Sequence, residues 1–214
     1  MIPKAFLLCC AAYVLLLGGC AGDEDAAQDA GEPVGSPAPQ VKTYTNKTFA
    51  FSLEYPADWQ RQDLGMNPAG LDVDFATIFS TTSVRSSAAQ TGGKDRTAAI
   101  VSAVRLSEPL GKSGFRRLLR EAKEEVATKP GGWVGAPGYS DIEVARSEFI
   151  ELAGVPCLVV DQTYRDDEGT GQHRRYLMFG KGDVLYTLFF AATAARWPQD
   201  QTELEAIAQS FVIL

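Results

Sequence analysis

Apolar and polar side chains alternate from Phe49 to Tyr55, with Phe49, Phe51, Leu53 and Tyr55 separated by Ala50, Ser52 and Glu54. That period of two predicts a strand with one buried face. Pro56 lacks the N–H that a ladder needs and stops the strand, and Trp59 then returns to the core. Leu71, Val73 and Phe75 alternate again, with Ile78 out of step, and the run from Ala98 to Leu106 reads as a buried strand. Between them, residues 82–96 are rich in Ser, Gly, Lys and Gln and predict a mobile loop without a core residue.

The period then changes. Phe115, Leu118, Leu119, Ala122 and Val126 recur at helical spacing with Arg and Glu between them, Ser113 is the expected N-cap, and Lys129-Pro130-Gly131-Gly132 ends the helix. Trp133 to Tyr139 is Gly- and Pro-rich and irregular. Strands are predicted over 141–152, 155–165, 172–179 and 183–193. Ala153-Gly154, the segment 166–171 and Gly180-Lys181-Gly182 form the turns, which makes an antiparallel meander. A last helix starts near Pro198 and presents Leu204, Ile207, Ala208 and Phe211 on one face. Strands grouped together with helices at the flanks give an α+β class, a largely antiparallel sheet covered by helices.

The N-terminus follows a different logic. Lys4 precedes an apolar run from Ala5 to Leu17, shorter than the ~20 residues of a permanent membrane helix and suited to an export signal. Leu17-Gly18-Gly19-Cys20 resembles the lipobox of bacterial lipoproteins. The resemblance implies a signal peptide over 1–19, diacylglyceryl transfer to the Cys20 sulfur, cleavage before it and acylation of the new amine. Ala21, which is not Asp, implies the outer membrane where the cell has one, and otherwise the cell membrane. Residues 20–42 are then a lipidated cysteine and a tether. Asp23, Glu24, Asp25, Asp29 and Glu32 stand against Lys42 alone, with too little apolar surface to offset backbone entropy.

The remaining 43–214 segment resembles the PsbP-like domains. Its opening Tyr44-Thr45-Asn46, then Phe49-Ala50-Phe51-Ser52-Leu53-Glu54-Tyr55-Pro56-Ala57-Asp58-Trp59, is similar to their first strands. Leu152-Ala153-Gly154-Val155-Pro156-Cys157 resembles their central hairpin, and Val184 to Leu188 followed by Ala208-Gln209-Ser210-Phe211 resembles their close. The resemblance implies an α/β/α sandwich. These motifs are structural, so no functional residue is carried over from them.

Composition narrows the chemistry. The chain is 45% hydrophobic and 22% charged with a net charge of −7, values of a globular protein. No basic stripe with interleaved aromatics is present, so nucleic acid is not an expected partner. Cys9 and Cys10 lie in the export segment and Cys157 alone lies in the body. That excludes a disulfide framework or thiolate zinc site within the mature chain and makes Cys157 a buried small hydrophobe.

His173 is the sole histidine; it sits beside Arg174 and Arg175 and reads as a solvated strand-end residue rather than a general base. Asp166-Asp167-Glu168-Gly169 invites a cation but lacks EF-hand spacing, and reads as a polar hairpin tip. Asp72 and Asp74 share a strand face as a carboxylate pair or, more simply, as two solvent-facing acids. Gly131-Gly132-Trp133-Val134-Gly135 follows a helix rather than a strand and is a weak phosphate cradle. Arg116, Arg117 and Arg120 either pair with Glu121, Glu124 and Glu125 or form a patch for an acidic partner.

No nucleophile elbow or Walker loop appears. The expectation is therefore a non-catalytic interaction domain outside the cytoplasmic membrane, held by lipid on Cys20, with a protein partner and no cofactor or metal. The competing expectation is a small-molecule or lipid-binding module with Trp59, Trp133 and Tyr139 near its mouth.

Overall fold

The computed structural model describes residues 40–68, 73–81, 97–129 and 139–214. The export segment, Cys20, Asp72, the 82–96 loop and the Gly131–Gly135 run with Trp133 lie outside the described residues.

β1 (Val41–Asn46) and β2 (Phe51–Pro56) form an antiparallel pair with Val41 opposite Pro56, and β9 (Val212–Ile213) joins the free edge of β2. The main sheet contains β3 (Gln60–Met66), β4 (Phe75–Ser80), β5 (Ala98–Leu110), β6 (Ser140–Leu152), β7 (Val155–Arg165) and β8 (Gly171–Thr193). Its order is β3-β4-β5-β8-β7-β6, with every neighbour antiparallel.

β8 occupies two positions in this sheet. Its first half pairs with β7, Gly171 to Phe179 against Arg165 to Cys157, while Val184 to Ala191 pairs with β5. The Ala194 N–H donates to the Gly171 carbonyl, and the rings of Tyr176 and Phe189 lie 4.9 Å apart. The two halves therefore lie side by side as a hairpin. Gly182 at φ +66° sits at its tip, where a tight hairpin needs positive φ. The predicted turn at Gly180-Lys181-Gly182 is present as drawn from the sequence.

Among the described residues, one helix covers each face. α1 (Lys112–Thr128) buries Phe115, Leu118, Leu119, Ala122 and Val126 against Leu158, Val160, Tyr176, Met178 and Leu185. Full burial of a side chain such as Leu119 stabilises by about 2 kcal/mol before entropy is charged. α2 (Trp197–Gln209) lies on the opposite face with the small β1-β2-β9 sheet. There Trp197, Leu204, Ile207 and Ala208 join Phe51, Leu53, Cys157, Phe179, Tyr186 and Phe211 in the larger core. The arrangement is the antiparallel sheet between helices that the sequence predicts.

Three local expectations change. Ser113 is inside α1, and Gly111 occupies the N-cap without a side-chain hydrogen bond; the helix is held by its apolar stripe instead. Phe211 lies past α2, yet it stacks on Phe51 at 5.1 Å and 13°. β3 has no counterpart among the predicted strands. Its residues are all exposed or half-buried, so the ladder to β4, not an apolar face, holds it.

Candidate functional site

The polar residues expected to carry chemistry are mostly used up locally. Cys157 is fully buried, and burial pushes its thiol up to about 12, so it is protonated and inert at neutral pH. Asp166 Oδ1 accepts from the N–H groups of Glu168 and Thr170, and Oδ2 accepts from Gln172 Nε2. The carboxylate thus closes the 166–170 turn. Asp74 Oδ2 accepts from the Arg105 N–H, at the junction of β4 and β5. Among the described residues no group of three or more His, Cys, Asp or Glu side chains is placed to hold a metal ion.

His173 departs from the solvated position expected of it. Its ring stacks on Trp197 with centroids 3.7 Å apart at 7°, and Nε2 is buried without a hydrogen-bond partner. Burial lowers its pKa from the ordinary value against the pull of Asp161. The reason is tertiary: Trp197 opens α2 and folds back over the sheet at the point where β8 begins.

Arg175, two residues on and on the same face, continues this cluster. Its Nε and Nη2 donate to the two Asp161 oxygens at 2.6 and 3.0 Å, and Nη1 donates to Glu205 Oε1 at 3.0 Å. Its guanidinium carbon also lies 5.2 Å from the Trp197 ring. Burial works against its charge, but the hydrogen bonds and charge of Asp161, then of Glu205, push the pKa up. Glu205 is held below its ordinary value, chiefly by a hydrogen bond from Gln201 and then by Arg175. This is an internally neutralised clamp between α2 and the sheet.

Arg174 points to the α1 face, buried at 2% exposure, with its guanidinium 4.2 Å from the Tyr164 ring and 5.4 Å from that of Tyr139. Tyr139 therefore packs on the α1 side, whereas Trp59 is 3% exposed in the core on the α2 side. The two aromatics expected at a shared mouth lie on opposite faces of the sheet.

A groove of about 480 Å³ lies between α1 and the β6–β7 hairpin. Lys112, Arg116 and Arg120 form one wall, spaced four residues apart and hence on one stripe of the helix. Phe149, Ile150, Glu151, Gly154 and Pro156 supply the rest. Phe149 is 46% exposed, and Lys123 Nζ sits 5.2 Å from its ring centroid.

The three arginines expected as a group are thereby divided. Arg117 faces away and pairs with Glu121 at 3.9 Å, an exposed pair worth little. Arg116 and Arg120 have no carboxylate within ion-pair distance among the described residues. Phe149 went unnoticed in the sequence because it occupies an ordinary strand position; its signal was only that an aromatic residue falls between Glu148 and Glu151. The groove offers cations, an apolar platform and, among the described residues, an unpaired sheet edge.

Known proteins place this architecture. A sequence model of the PsbP family matches residues 39–213. A search of curated protein sequences gives no match. The solution structure of the cyanobacterial PsbP, CyanoP, from Synechocystis sp. PCC 6803 superposes with a TM-score of 0.53 at 14% identity, covering 86% of this chain and 98% of that one. LpqN of Mycobacterium tuberculosis, described as involved in cell envelope biogenesis, gives 0.48 at 12% identity over 81% and 90% of the two chains. The Saccharomyces cerevisiae Ran-binding protein Mog1p gives 0.42 at 11%, over 82% and 96%. At 14% identity the likeness to CyanoP concerns the fold alone.

Proposed function

The chain belongs to the PsbP family, and from that premise we propose that its folded part is a non-catalytic interaction domain. It is held outside the cytoplasmic membrane by lipid on Cys20 and supports a protein complex. One observation carries the reading. On the α2 side the buried charges are paired: Arg175 is clamped by Asp161 and Glu205, and Asp200 by Arg196 at 3.0 Å and by the Thr97 hydroxyl, while the buried Arg174 on the α1 side lies against the Tyr164 and Tyr139 rings. Lys112, Arg116 and Arg120, without an ion pair among the described residues, and the half-exposed Phe149 ring instead line a solvent-facing groove. Side chains arranged this way recognise a surface.

The anchor rests on separate support. Leu17-Gly18-Gly19-Cys20 precedes an acidic segment, and the first described strand starts at Val41. No helix among the described residues is long and apolar enough to cross a membrane. Acyl chains on Cys20, at about 0.8 kcal/mol per buried CH₂, would then supply the membrane attachment.

Fractionation and cross-linking of the full chain in its native membrane test both parts. Cys20→Ser should move the protein to the soluble fraction, and cross-linking of the wild type should yield a stoichiometric protein partner. Continued membrane association of Cys20→Ser would refute the anchor. A co-purifying small molecule in place of a protein, found by mass spectrometry, would replace the interaction reading with that of a ligand carrier.

A further inference from the structure

Among the described residues the groove beside α1 also borders an unpaired sheet edge, which narrows what can dock there. β6 is the terminal strand in the order β3-β4-β5-β8-β7-β6. Its outer part is irregular, with register shifts between Ser140 and Glu143 and between Val144 and Arg146. From Arg146 to Leu152 the ladder to β7 is unbroken, Arg146 opposite Asp161 through Leu152 opposite Val155. Bulges protect a sheet edge from further pairing. Here they are confined to the far end, and the regular stretch runs along the groove.

The side chains bordering this edge have a definite chemistry. Phe149, opposite Leu158, and Glu151, opposite Pro156, project to the α1 face. Above them stand Lys112, Arg116 and Arg120, with Lys123 over the Phe149 ring. Four cations against Glu151 make this corner locally basic on a chain of net charge −7. A strand added at β6 would present alternate side chains to that face.

Resting on the interaction-domain reading above, we propose that the groove binds an acidic, extended segment of a partner protein. The segment adds to the β6 edge between Arg146 and Leu152. It sets an apolar side chain on Phe149 and places carboxylates two residues to either side against Lys112, Arg116 and Arg120. An anionic bilayer fits less well, because the site is concave, contains Glu151, and belongs to an acidic protein that such a surface repels. Main-chain pairing supplies general affinity and the groove supplies selectivity, as in other cases of strand addition.

The test uses the full chain in detergent and a fluorescein-labelled peptide, Thr-Glu-Thr-Leu-Thr-Glu-Thr, followed by anisotropy. The wild type should bind it saturably, more weakly as NaCl is raised. Arg116→Glu with Arg120→Glu should weaken binding about tenfold or more, and Phe149→Ser should do likewise. Arg117→Glu, outside the groove, should leave binding unchanged. The milder Arg120→Gln should give a smaller loss, which keeps the prediction testable if the double reversal does not fold. A peptide with Lys in place of Glu should prefer the double-reversal variant to the wild type.

No saturable binding by the wild type, or an equal loss in Arg117→Glu, would overturn the proposal. So would capture of phosphatidylglycerol vesicles through the same cations without peptide binding, or a dimer that Phe149→Ser abolishes in a chain that ignores the peptide. A native partner that still cross-links to the double-reversal variant refutes this groove and leaves the interaction domain standing. Absence of any native partner counts against the interaction domain, while the peptide titration still decides the chemistry of the groove.

Discussion

Replacing Asp161 with Ala should be among the more damaging single changes in this domain, although Asp161 forms only one ion pair among the described residues. Asp161 and Arg175 are each 8% exposed, and two charge-assisted hydrogen bonds of 2.6 and 3.0 Å join them. Removing the carboxylate leaves a buried guanidinium whose remaining partner, Glu205, is 44% exposed. Breaking a buried pair from one side costs about 3–5 kcal/mol, because the surviving charge keeps its desolvation penalty. Glu205→Ala removes the exposed limb only and should cost roughly 0.5–1 kcal/mol. For a domain of this size 1 kcal/mol corresponds to about 2–4 °C in Tm, so Asp161→Ala should melt roughly 6–12 °C lower at the least. Replacing both partners, as Asp161→Leu with Arg175→Met, should recover most of the loss, since neither charge is then buried alone. Urea unfolding of the wild type and the three variants gives the stabilities, with an unchanged m-value showing that the same two states are compared. The reasoning fails if Asp161→Ala costs no more than Glu205→Ala, or if the double replacement is as damaging as Asp161→Ala.

The same end of the sheet should respond to pH. Burial against Trp197 holds the pKa of His173 below its unfolded value, so the unfolded chain binds the proton more readily. Stability from this group is then full above the unfolded value near 6.5 and falls as pH drops through that value toward the folded one. Melting at pH 7.5 and 5.5 should show a smaller pH difference in His173→Phe than in wild type; an unchanged difference would locate the proton uptake elsewhere. Cys157 should resist iodoacetamide at pH 8 in the native protein and react in urea, because its thiol is buried with a pKa near 12; rapid native labelling would contradict that burial. Finally, Ala153 and Gly154 hold φ of +51° and +73° in the two-residue turn between Leu152 and Val155. Asn tolerates that region better than Ala, so Ala153→Asn should stabilise by about 0.5–1 kcal/mol and Ala153→Val should destabilise. Equal midpoints for the two variants in urea would show that the turn stores no such strain.

Strand β7 and helix α1 were legible in the sequence because each carries its own burial pattern. The run Val155 to Val160 is apolar without interruption and is buried on both faces of the sheet. The stripe from Phe115 to Val126 has the period of a helix with one buried side. β3 was not legible, since a polar strand is defined by its neighbour β4 and not by its own residues. The functional surface divides in the same way. Arg116, Arg117 and Arg120 were visible as a basic cluster, but the sequence gives them equal standing. Only the rotation of α1 on the sheet turns Arg116 and Arg120 toward Phe149 and leaves Arg117 beside Glu121.

Residue pattern alone is enough for the antiparallel order of the later strands and the apolar stripes of the helices, and Leu17-Gly18-Gly19-Cys20 raises the expectation of an anchor. These are local properties, fixed by periods of two and 3.6 and by residues adjacent in the chain. The tertiary structure decided that His173 lies under Trp197, that Arg175 clamps α2 to the sheet through Asp161 and Glu205, and that β6 is left as an edge beside a basic helix. Each of these joins residues distant in sequence. Close packing of α2 and α1 against opposite faces sets which side chains meet and which remain open to a partner.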